Sequence, residues 1–584
     1  MKKIIQQRTI DDSPLSMSEE MPSILKRIYQ SRGVVSSKDL ERSLNNLLPA
    51  DELLDIDRAA ELIIEAIKSG KRILIVADFD CDGATSCAVA VRGLKALGAE
   101  NVNYIVPNRF KHGYGLTHQL VDEIAESQHA DLLITVDNGI ASIKGVKAAH
   151  DNGMKVLVTD HHLQAEELPD ADAIVNPNRK GDTFPSKHLA GVGVCFYLLL
   201  GLRQVLREQN WFTQQNISEP NLMYLLDLVA LGTVADVVKL DRLNRTFVSI
   251  GLNRIRAGKT CPGILALLQL AGKDRYSLST IDIGFAIAPR LNAAGRLQDM
   301  SLGIEALLSD NPDDALIKAR QLDEINVERR EVEHEMQEQA LAMLDTMSFE
   351  SNEKPLAYCF YDETWHQGVV GLLASRIKER QHRPVIAFAP GDNETLKGSA
   401  RSIVGIHIRD VLALVANKYP EMLSQFGGHA MAAGLTIKRA DLADFEKAFM
   451  LALEQVIDRS VLTLELISDG ELKNDDFSVS FAKKLSSFAP WGQGFPEPRF
   501  HGEFMIVAFR LVGQKKNHLR LSLLLDDGRE VTAMAFGQDK PEWLAVNCMV
   551  LIHYRLAVNE YRQQTDMQLL VDNLFQITNE TNNV

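Results

Sequence analysis

Between residue 71 and about residue 180 the chain repeats one pattern: a short apolar run that ends in a polar cluster. Ile73 to Ala77 runs into Asp78, Asp80, Asp82 and Gly83. Val102 to Val106 runs into PNRFKHGYGL, which carries Arg109. Leu132 to Val136 is followed by Asp137-Asn138-Gly139, Lys155 to Thr159 by Asp160-His161-His162, and Ala173 to Val175 by Asn176-Pro177-Asn178-Arg179. Runs of this length and β-branched content, bounded by turn residues, read as fully buried strands of a parallel sheet. Helix-like stretches separate most of them, such as Ala84 to Leu97 closed by Gly98. The pattern predicts right-handed crossovers. Open α/β sheets take their ligands outside the carboxyl ends of the strands, so the polar clusters are expected to converge on one edge.

The pattern changes along the rest of the chain. The first seventy residues suit amphipathic helices packed on the first strand and carry no chemistry. Asn311 as cap, Pro312 at the first helical position and Asp313 and Asp314 in the first turn announce a helix. Leu316, Ala319, Leu322, Ile325, Val332, Met336, Ala340 and Leu344 then recur at three- and four-residue steps. A connecting helix of about thirty-odd residues would span about 50 Å. A coiled-coil dimer helix is the alternative, but three clean heptads are missing. A second α/β lobe begins near Pro355, with strands at 356–361 and 384–389 around a helix at 369–378. After Ala448, Leu519, Leu521 and Leu523 alternate with polar residues, Asp527-Gly528 marks a turn, and runs at 531–536, 549–556 and 567–570 complete a compact β-barrel of the OB type. WGQGFPEPRF at 491–500 reads as a linker entering it. The expected divisions are a helical segment at 1–70, a parallel-sheet domain at 71–305, the connecting helix at 306–350, a second α/β domain at 351–455 and the barrel with its entry linker at 456–584.

Composition narrows the function classes. A chain of 584 residues holds several domains. Hydrophobic content of 46% and charged content of 24% are ordinary for a globular protein, and no apolar run reaches the length of a membrane span. No signal peptide is visible. Six scattered cysteines without CxxC pairs fit a reducing cytoplasm and argue against a zinc site or a disulfide framework. A net charge of −15 means that any nucleic acid must be met by locally concentrated basic residues.

The clusters complement one another chemically. Asp80, Asp82 and Asp137 offer carboxylate oxygens, which resist joint ionisation unless a cation sits among them. His161 offers imidazole, and Asp160 can orient a histidine from behind. His161 and His162 are adjacent and cannot point the same way, so one ligates and the other faces substrate or leaving group. Asp236, alone in an apolar stretch, needs a partner, either a metal or a helix terminus that it caps. Such a set can hold two Mg²⁺ or Mn²⁺ ions for an in-line displacement at phosphorus. No P-loop, nucleophile elbow or dinucleotide fingerprint is present. Arg290 and Arg296, beside small residues in APRLNAAGR, can fork onto phosphate. Ser399 and Arg401 in KGSARS, and Gly427, Gly428 and His429 in FGGH, could hold a terminal phosphate, although two glycines alone commonly mean a tight turn. Lys515, Lys516, His518, Arg520, Tyr554, Tyr561 and Arg562 in the barrel suit a single strand. A protein-docking barrel is the competing reading.

DFDCDG, VDNGI, DHH and GTVADVV resemble the ordered motifs of the DHH phosphoesterase superfamily. GFAIAPRLNAAGRL, WHQGVVGLLASRI, GSARS and FGGHAMAAG narrow the resemblance to its RecJ branch of single-strand-specific 5′→3′ exonucleases. The likeness runs from about Lys71 to the C-terminus. It implies a DHH domain, a DHHA1-type domain and an OB barrel. It implies two Mn²⁺ or Mg²⁺ ions on Asp80, Asp82, Asp137, His161 and Asp236, with Asp78, Asp160 and His162 in support. Ser399 and Arg401, with Arg290, would receive the 5′ end, and His429 would approach the scissile phosphate. Four residues before Asp80, where pyrophosphatase members of the superfamily carry histidine, stands Val76, which leaves the part played by Asp78 open. The implied activity is hydrolysis of single-stranded DNA to 5′-mononucleotides in recombination and repair, by a cytoplasmic monomer that works with a single-strand-binding protein and a helicase. Three alternatives stay open: a small-molecule phosphoesterase or pyrophosphatase, an oligoribonucleotide exonuclease, and a nuclease-dead scaffold. The scaffold would be expected to have lost ligand acids, and all are present.

Overall fold

The computed structural model describes residues 3–10, 17, 21–109, 111–346, 354–488, 490–513, 516–538, 540–561 and 564–577. They form two compact units, one of residues 10–326 and 484–497, the other of residues 1–9, 327–483 and 498–584.

The first unit is built on a five-stranded sheet in the order Val102–Ile105, Ile73–Ala77, Leu132–Val136, Lys155–Thr159, Ala173–Val175. All four pairings are parallel. Every residue of Ile73–Ala77 and of Leu132–Val136 is buried, as a sheet covered on both faces requires. Parallel pairing in register brings the carboxyl ends level, because Ala77 pairs with Val136 and Val136 with Thr159. The clusters that begin at Asp78, Asp137 and Asp160 therefore share one edge, as the periodicity predicts. Cys81–Ala96, Gly191–Glu208 and Leu226–Ala235 supply the helices that cover this edge's approach. The helix Leu226–Ala235 is apolar all round and is buried over its first eight residues.

The helix Pro312–Thr346 runs for 35 residues, about 52 Å at 1.5 Å per residue. Asn311 caps it as expected, its Oδ1 accepting from the Asp313 amide at 2.9 Å. The second unit holds a mixed sheet in the order Leu423–Gly428, Ala432–Lys438, Thr395–Arg401, Val385–Pro390, Tyr358–Tyr361. It also holds a closed barrel of Phe500–Val512, His518–Leu524, Glu530–Ala535, Gln564–Gln576 and Met549–Tyr561. Among the described residues, no helix is long and apolar enough to cross a membrane.

Three findings differ from the pattern reading. The N-terminal segment is not wholly helical: Lys3–Gln7 is a strand that pairs in parallel with Leu464–Ser468. Tyr554 is fully buried in the barrel, beside Phe477, Phe500 and Phe504, and offers nothing to a ligand. The stretch 491–500 is no bare linker. Trp491 and Phe495 are buried and stack at 5.3 Å, Tyr29 lies within 6.4 Å of both, and the Trp491 indole donates to the Leu485 carbonyl at 3.1 Å. Glycine and proline density was a good guide to irregular backbone and a poor guide to burial.

Trp491→Ala should therefore destabilise the first unit by about 3–5 kcal/mol, the cost of emptying a large aromatic site. Denaturant unfolding monitored on that unit checks this; a change within about 0.5 kcal/mol would be the outcome for a residue in a solvated linker.

Candidate metal centre

Each acid at the sheet edge is aimed by a local device. Asp80 caps the helix Cys81–Ala96, its carboxylate accepting from the Asp82 and Gly83 amides. Asp82, in the first turn, is anchored from the opposite side: the Gly191 amide donates to Oδ2 at 2.6 Å and the Val192 amide to Oδ1 at 3.0 Å. Gly191 has no room for a side chain, since a Cβ there would lie 2.5 Å from the Asp137 Cβ. Gly232 is equally constrained: a Cβ there would lie 2.8 Å from Asp82 Oδ1 and 2.2 Å from Thr85 Oγ1. Asp137 sits at a left-handed φ of 62° just past its strand, a conformation that costs of order 1–3 kcal/mol and clusters at functional sites.

Asp236 is not the N-cap of a helix. It closes the C-terminal end of Leu226–Ala235, where the helix dipole repels an anion. A carboxylate at that pole needs a cation. Val237, next in line, has φ 60°, rare for a β-branched residue.

His161 Nε2 lies 3.1 Å from Asp137 Oδ1 and 3.5 Å from Asp236 Oδ2. Three overlapping sets bring their donor atoms within 4.8 Å of one another: Asp137, His161 and His162; Asp82, His161 and Asp236; Asp78, Asp80 and Asp137. Two buried oxygens, Asp78 Oδ1 and Asp137 Oδ1, receive no hydrogen bond. Hard oxygens and an imidazole, with unsatisfied atoms aimed inward, fit divalent Mn²⁺ or Mg²⁺. Burial first, and the neighbouring carboxylates second, push Asp78, Asp137 and Asp236 well above the ordinary carboxylate range and Asp82 to about 7.

Asp160 behaves differently. Its Oδ2 accepts from the Ile140 amide at 2.9 Å, and its Oδ1 from the His161 amide at 2.7 Å and from His162 Nδ1 at 2.8 Å. Burial is the largest influence and raises its pKa, but the His162 hydrogen bond, the His162 and His161 charges and the Ile140 amide together outweigh burial and hold it below the usual range. Burial likewise pulls His162 down, and the Asp160 contact overrides this to leave it at about 9. Asp160 is thus saturated by donors and orients His162. The carbonyls of His161 and His162 are held in turn by Asn178 and Asn176 at 2.6 and 2.9 Å.

The remaining predicted residues fall in several places. Arg109 stacks 4.3 Å from the Phe79 ring centroid. Arg290 pairs with Asp323 at 2.8 Å and donates to the Ala286 carbonyl. Arg296 is half-buried on the helix Ala288–Leu297. In the second unit Arg401 donates to Ser399 Oγ at 2.8 Å, and among the described residues it forms no ion pair. Both face Gly371 in the first turn of the helix Val370–Gln381, where a Cβ would lie 2.7 Å from Arg401 Nη2 and 3.1 Å from Ser399 Oγ. A guanidinium, a hydroxyl and a helix N-terminus so placed make an anion receptor. Gly427 and Gly428 end the strand Leu423–Gly428, and His429 follows, exposed, in the hairpin where its amide donates to the Ala432 carbonyl. Register sets Gly427 opposite Gly434, and Gly434 opposite Ser399. In the barrel, Lys516 is exposed, and Arg520 faces Arg510 across the strand pair, lining a cleft of about 1010 Å³. Lys515, Arg562 and the side chain of Tyr561 lie outside the described residues. The sequence reading missed Tyr114, whose hydroxyl reaches both Asp137 and His162; its signal was the glycine on either side.

The comparisons bear on this geometry. The family model for the DHH family, N-terminal domain, matches residues 72–233; DHHA1 matches 353–458 and the RecJ OB domain 468–573. The single-stranded-DNA-specific exonuclease RecJ of Salmonella typhimurium is 48% identical over 566 residues, covering 97% of this chain and 98% of that protein. The chain belongs to the RecJ family. The RecJ of Escherichia coli is 47% identical over 580 residues, 99% of this chain and 100% of that one. The crystal structure of RecJ in complex with Mn²⁺ from Thermus thermophilus matches with a TM-score of 0.79 at 27% identity, covering 97% of this chain and 80% of that chain. DHH, DHHA1 and OB domains thus follow in the order that the RecJ resemblance implies.

The raised carboxyl pKa values have a testable sign. A folded-state pKa above the unfolded one means that stability is full at low pH and is lost as pH rises. The window here opens near the unfolded carboxylate pKa of about 4 and, for Asp82, closes near about 7. In chelator, the thermal midpoint of the first unit should fall across this window. Mn²⁺ supplies the missing countercharge and should raise that midpoint more at pH 8 than at pH 5. Calorimetry at both pH values checks it, and equal shifts would remove this cluster as the ion's site.

Proposed function

We propose that this RecJ-family chain is a metal-dependent exonuclease that degrades single-stranded DNA from the 5′ end to 5′-mononucleotides. The observation that carries the chemistry is the set of buried, mutually repelling carboxylates at one sheet edge, two of whose oxygens receive no hydrogen bond. Asp80, Asp82, Asp137, His161 and Asp236 would hold two Mn²⁺ or Mg²⁺ ions, with Asp78 beside them. Ions held there would supply positive charge for the displacement at phosphorus and would lower the pKa of a water so that it loses its proton to solvent before attack.

The chain's own residues supply the rest. Asp160 holds His162 by Nδ1, and Nε2, 3.5 Å from the Tyr114 hydroxyl, would face substrate. The Asp160 contact raises the pKa of His162 and so favours its protonated form. As water attacks phosphorus and the bond to the terminal nucleotide's 3′ oxygen breaks, His162 gives its Nε2 proton to that oxygen. Ser399 and Arg401, with the helix N-terminus at Gly371, receive the 5′ phosphate. Gly427, Gly434 and Ser399 form a flat cross-strand row with open space above both glycines, which lets a sugar-phosphate backbone approach. His429 stands at the end of that row. Arg109, Arg290 and Arg296 neutralise phosphates along the first unit. The barrel face with Lys516 and Arg520 guides the strand. The matches at 72–233, 353–458 and 468–573 support a division into domains at 71–305, 351–455 and 456–584, with the helix Pro312–Thr346 between the first two in sequence. The role is in recombination and repair, in the cytoplasm, as a monomer supplied with strand by a helicase and a single-strand-binding protein.

Product analysis on single-stranded DNA, duplex DNA, RNA and pyrophosphate, with and without Mn²⁺, tests the reading. Mononucleotides from single-stranded DNA alone support it; equal turnover of pyrophosphate would replace it with the small-molecule alternative. Asp137→Ala should lower cleavage at least about 1000-fold and leave strand affinity within about twofold. Arg401→Ala should weaken binding of 5′-phosphorylated substrate about 10- to 100-fold, the worth of a charged hydrogen bond, and change hydroxyl-ended substrate little. Equal loss on both substrates would take Arg401 out of the phosphate pocket.

A further inference from the structure

Tyr114 has no part in the scheme above, yet it touches two of its components. Its hydroxyl donates to the Asp137 carbonyl at 3.3 Å and lies 3.4 Å from His162 Nδ1. Its ring meets His162 edge-on at 6.0 Å and meets Phe79 edge-on, also at 6.0 Å. Phe79 in turn lies under the Arg109 guanidinium. Arg109, Phe79, Tyr114 and His162 thus form one continuous row along the mouth of the acid cluster.

Two further facts separate Tyr114 from a packing residue. It is 51% exposed, a large share for an aromatic ring with this many neighbours. It is also mounted between Gly113 at φ +77° and Gly115 at φ +75°. Both φ values lie in the left-handed region that favours glycine. A Cβ on Gly113 would meet nothing within 4 Å, so space is not what excludes a side chain there.

We propose that Tyr114 is a positioning residue that couples substrate seating to the orientation of His162. The exposed ring face takes the nucleobase of the terminal nucleotide. The seated base holds the ring in place, and the hydroxyl then fixes the His162 edge and the Asp137 backbone. Stacking is tolerant of base identity because every base offers a π face, which suits an enzyme that must accept any terminal nucleotide. The inference rests on the single-strand exonuclease reading.

The test pairs protein and substrate changes. Binding is read in chelator, without turnover, by the fluorescence of 2-aminopurine placed at the 5′ terminus of a single strand. Single-turnover cleavage in Mn²⁺ is read on normal strands and on strands with an abasic 5′ residue. In the unaltered protein, binding should quench the probe. Tyr114→Ala should abolish the quench and lower cleavage about tenfold or more, in line with the worth of one stacked base. On the abasic strand the same substitution should cost only what the lost hydroxyl costs. Tyr114→Phe should keep the quench and KM but lower kcat on both strands, and Tyr114→Trp should restore the quench without restoring kcat. Equal loss on normal and abasic strands, or an unchanged quench in Tyr114→Ala, overturns the inference. Failure of the unaltered protein to cleave single strands at all would overturn the parent reading instead.

Discussion

Repulsion between buried carboxylates is the constraint around which the first unit is built. Asp78, Asp82 and Asp137 are each no more than 5% exposed, and Asp80 and Asp236 crowd the same edge. Removing such charges from water is expensive, and their proximity adds to the cost. The protein relieves some of it with its own donors. Asp80 receives the amides of its own helix, Asp82 those of Gly191 and Val192, and Asp160 the amides of Ile140 and His161 together with the His162 ring. It gives Asp78 Oδ1 and Asp137 Oδ1 no hydrogen bond, although His161 Nε2 lies 3.1 Å from the latter. A fold that could have supplied amides everywhere and did not has a cation in its design.

The distortions in the backbone lie where this constraint is sharpest. Asp137 takes a left-handed φ in place of continuing the strand, and Val237 does the same beside Asp236, at the pole of a helix that repels it. Each departs from what the local sequence prefers. Both are borne by heavily packed surroundings: the sheet strands behind Asp137 are buried along their whole length, and the helix before Asp236 is buried over eight residues. The chain also passes between the two compact units at four points, after residues 9, 326, 483 and 497.

The parallel sheet and its polar edge were legible because both signals are local. A β-branched run of five with an acid after it needs no knowledge of the rest of the chain, and register then sets the clusters level. The cap at Asn311 and the alternation at Leu519–Leu523 are of the same kind. What escaped depends on partners far away in sequence. Lys3–Gln7 is a strand only because Leu464–Ser468 offers it an edge. Trp491 is buried only because Tyr29 and Phe495 stack on it. Tyr554 is aromatic and near basic residues, which suits a ligand surface, but three other aromatics enclose it. Asp236 was legible as an acid in need of a partner, while its place at the C-terminal end of a helix rests on where the turn falls. The roles of Ser399 and Arg401 were suggested by type, and their shared contact with Gly371 needed coordinates.

The division of proton-holding among neighbours gives the site its logic. Asp160 and His162 lie 2.8 Å apart and move each other in opposite directions, the carboxyl down and the imidazole up. A few ångströms away the other carboxyls are pushed up by burial and by one another. One pair is therefore an internally neutralised orienting element that keeps a proton available at neutral pH. The remaining acids are only partly relieved, by backbone amides and the His161 ring, and a cation would balance the rest of their charge. Titratable groups whose environments drive their pKa values apart mark separate tasks. The Tyr114 hydroxyl touches both sets, through the Asp137 carbonyl and the His162 ring. An exposed ring on a two-glycine mount is the point at which a bound nucleotide can act on both sets at once.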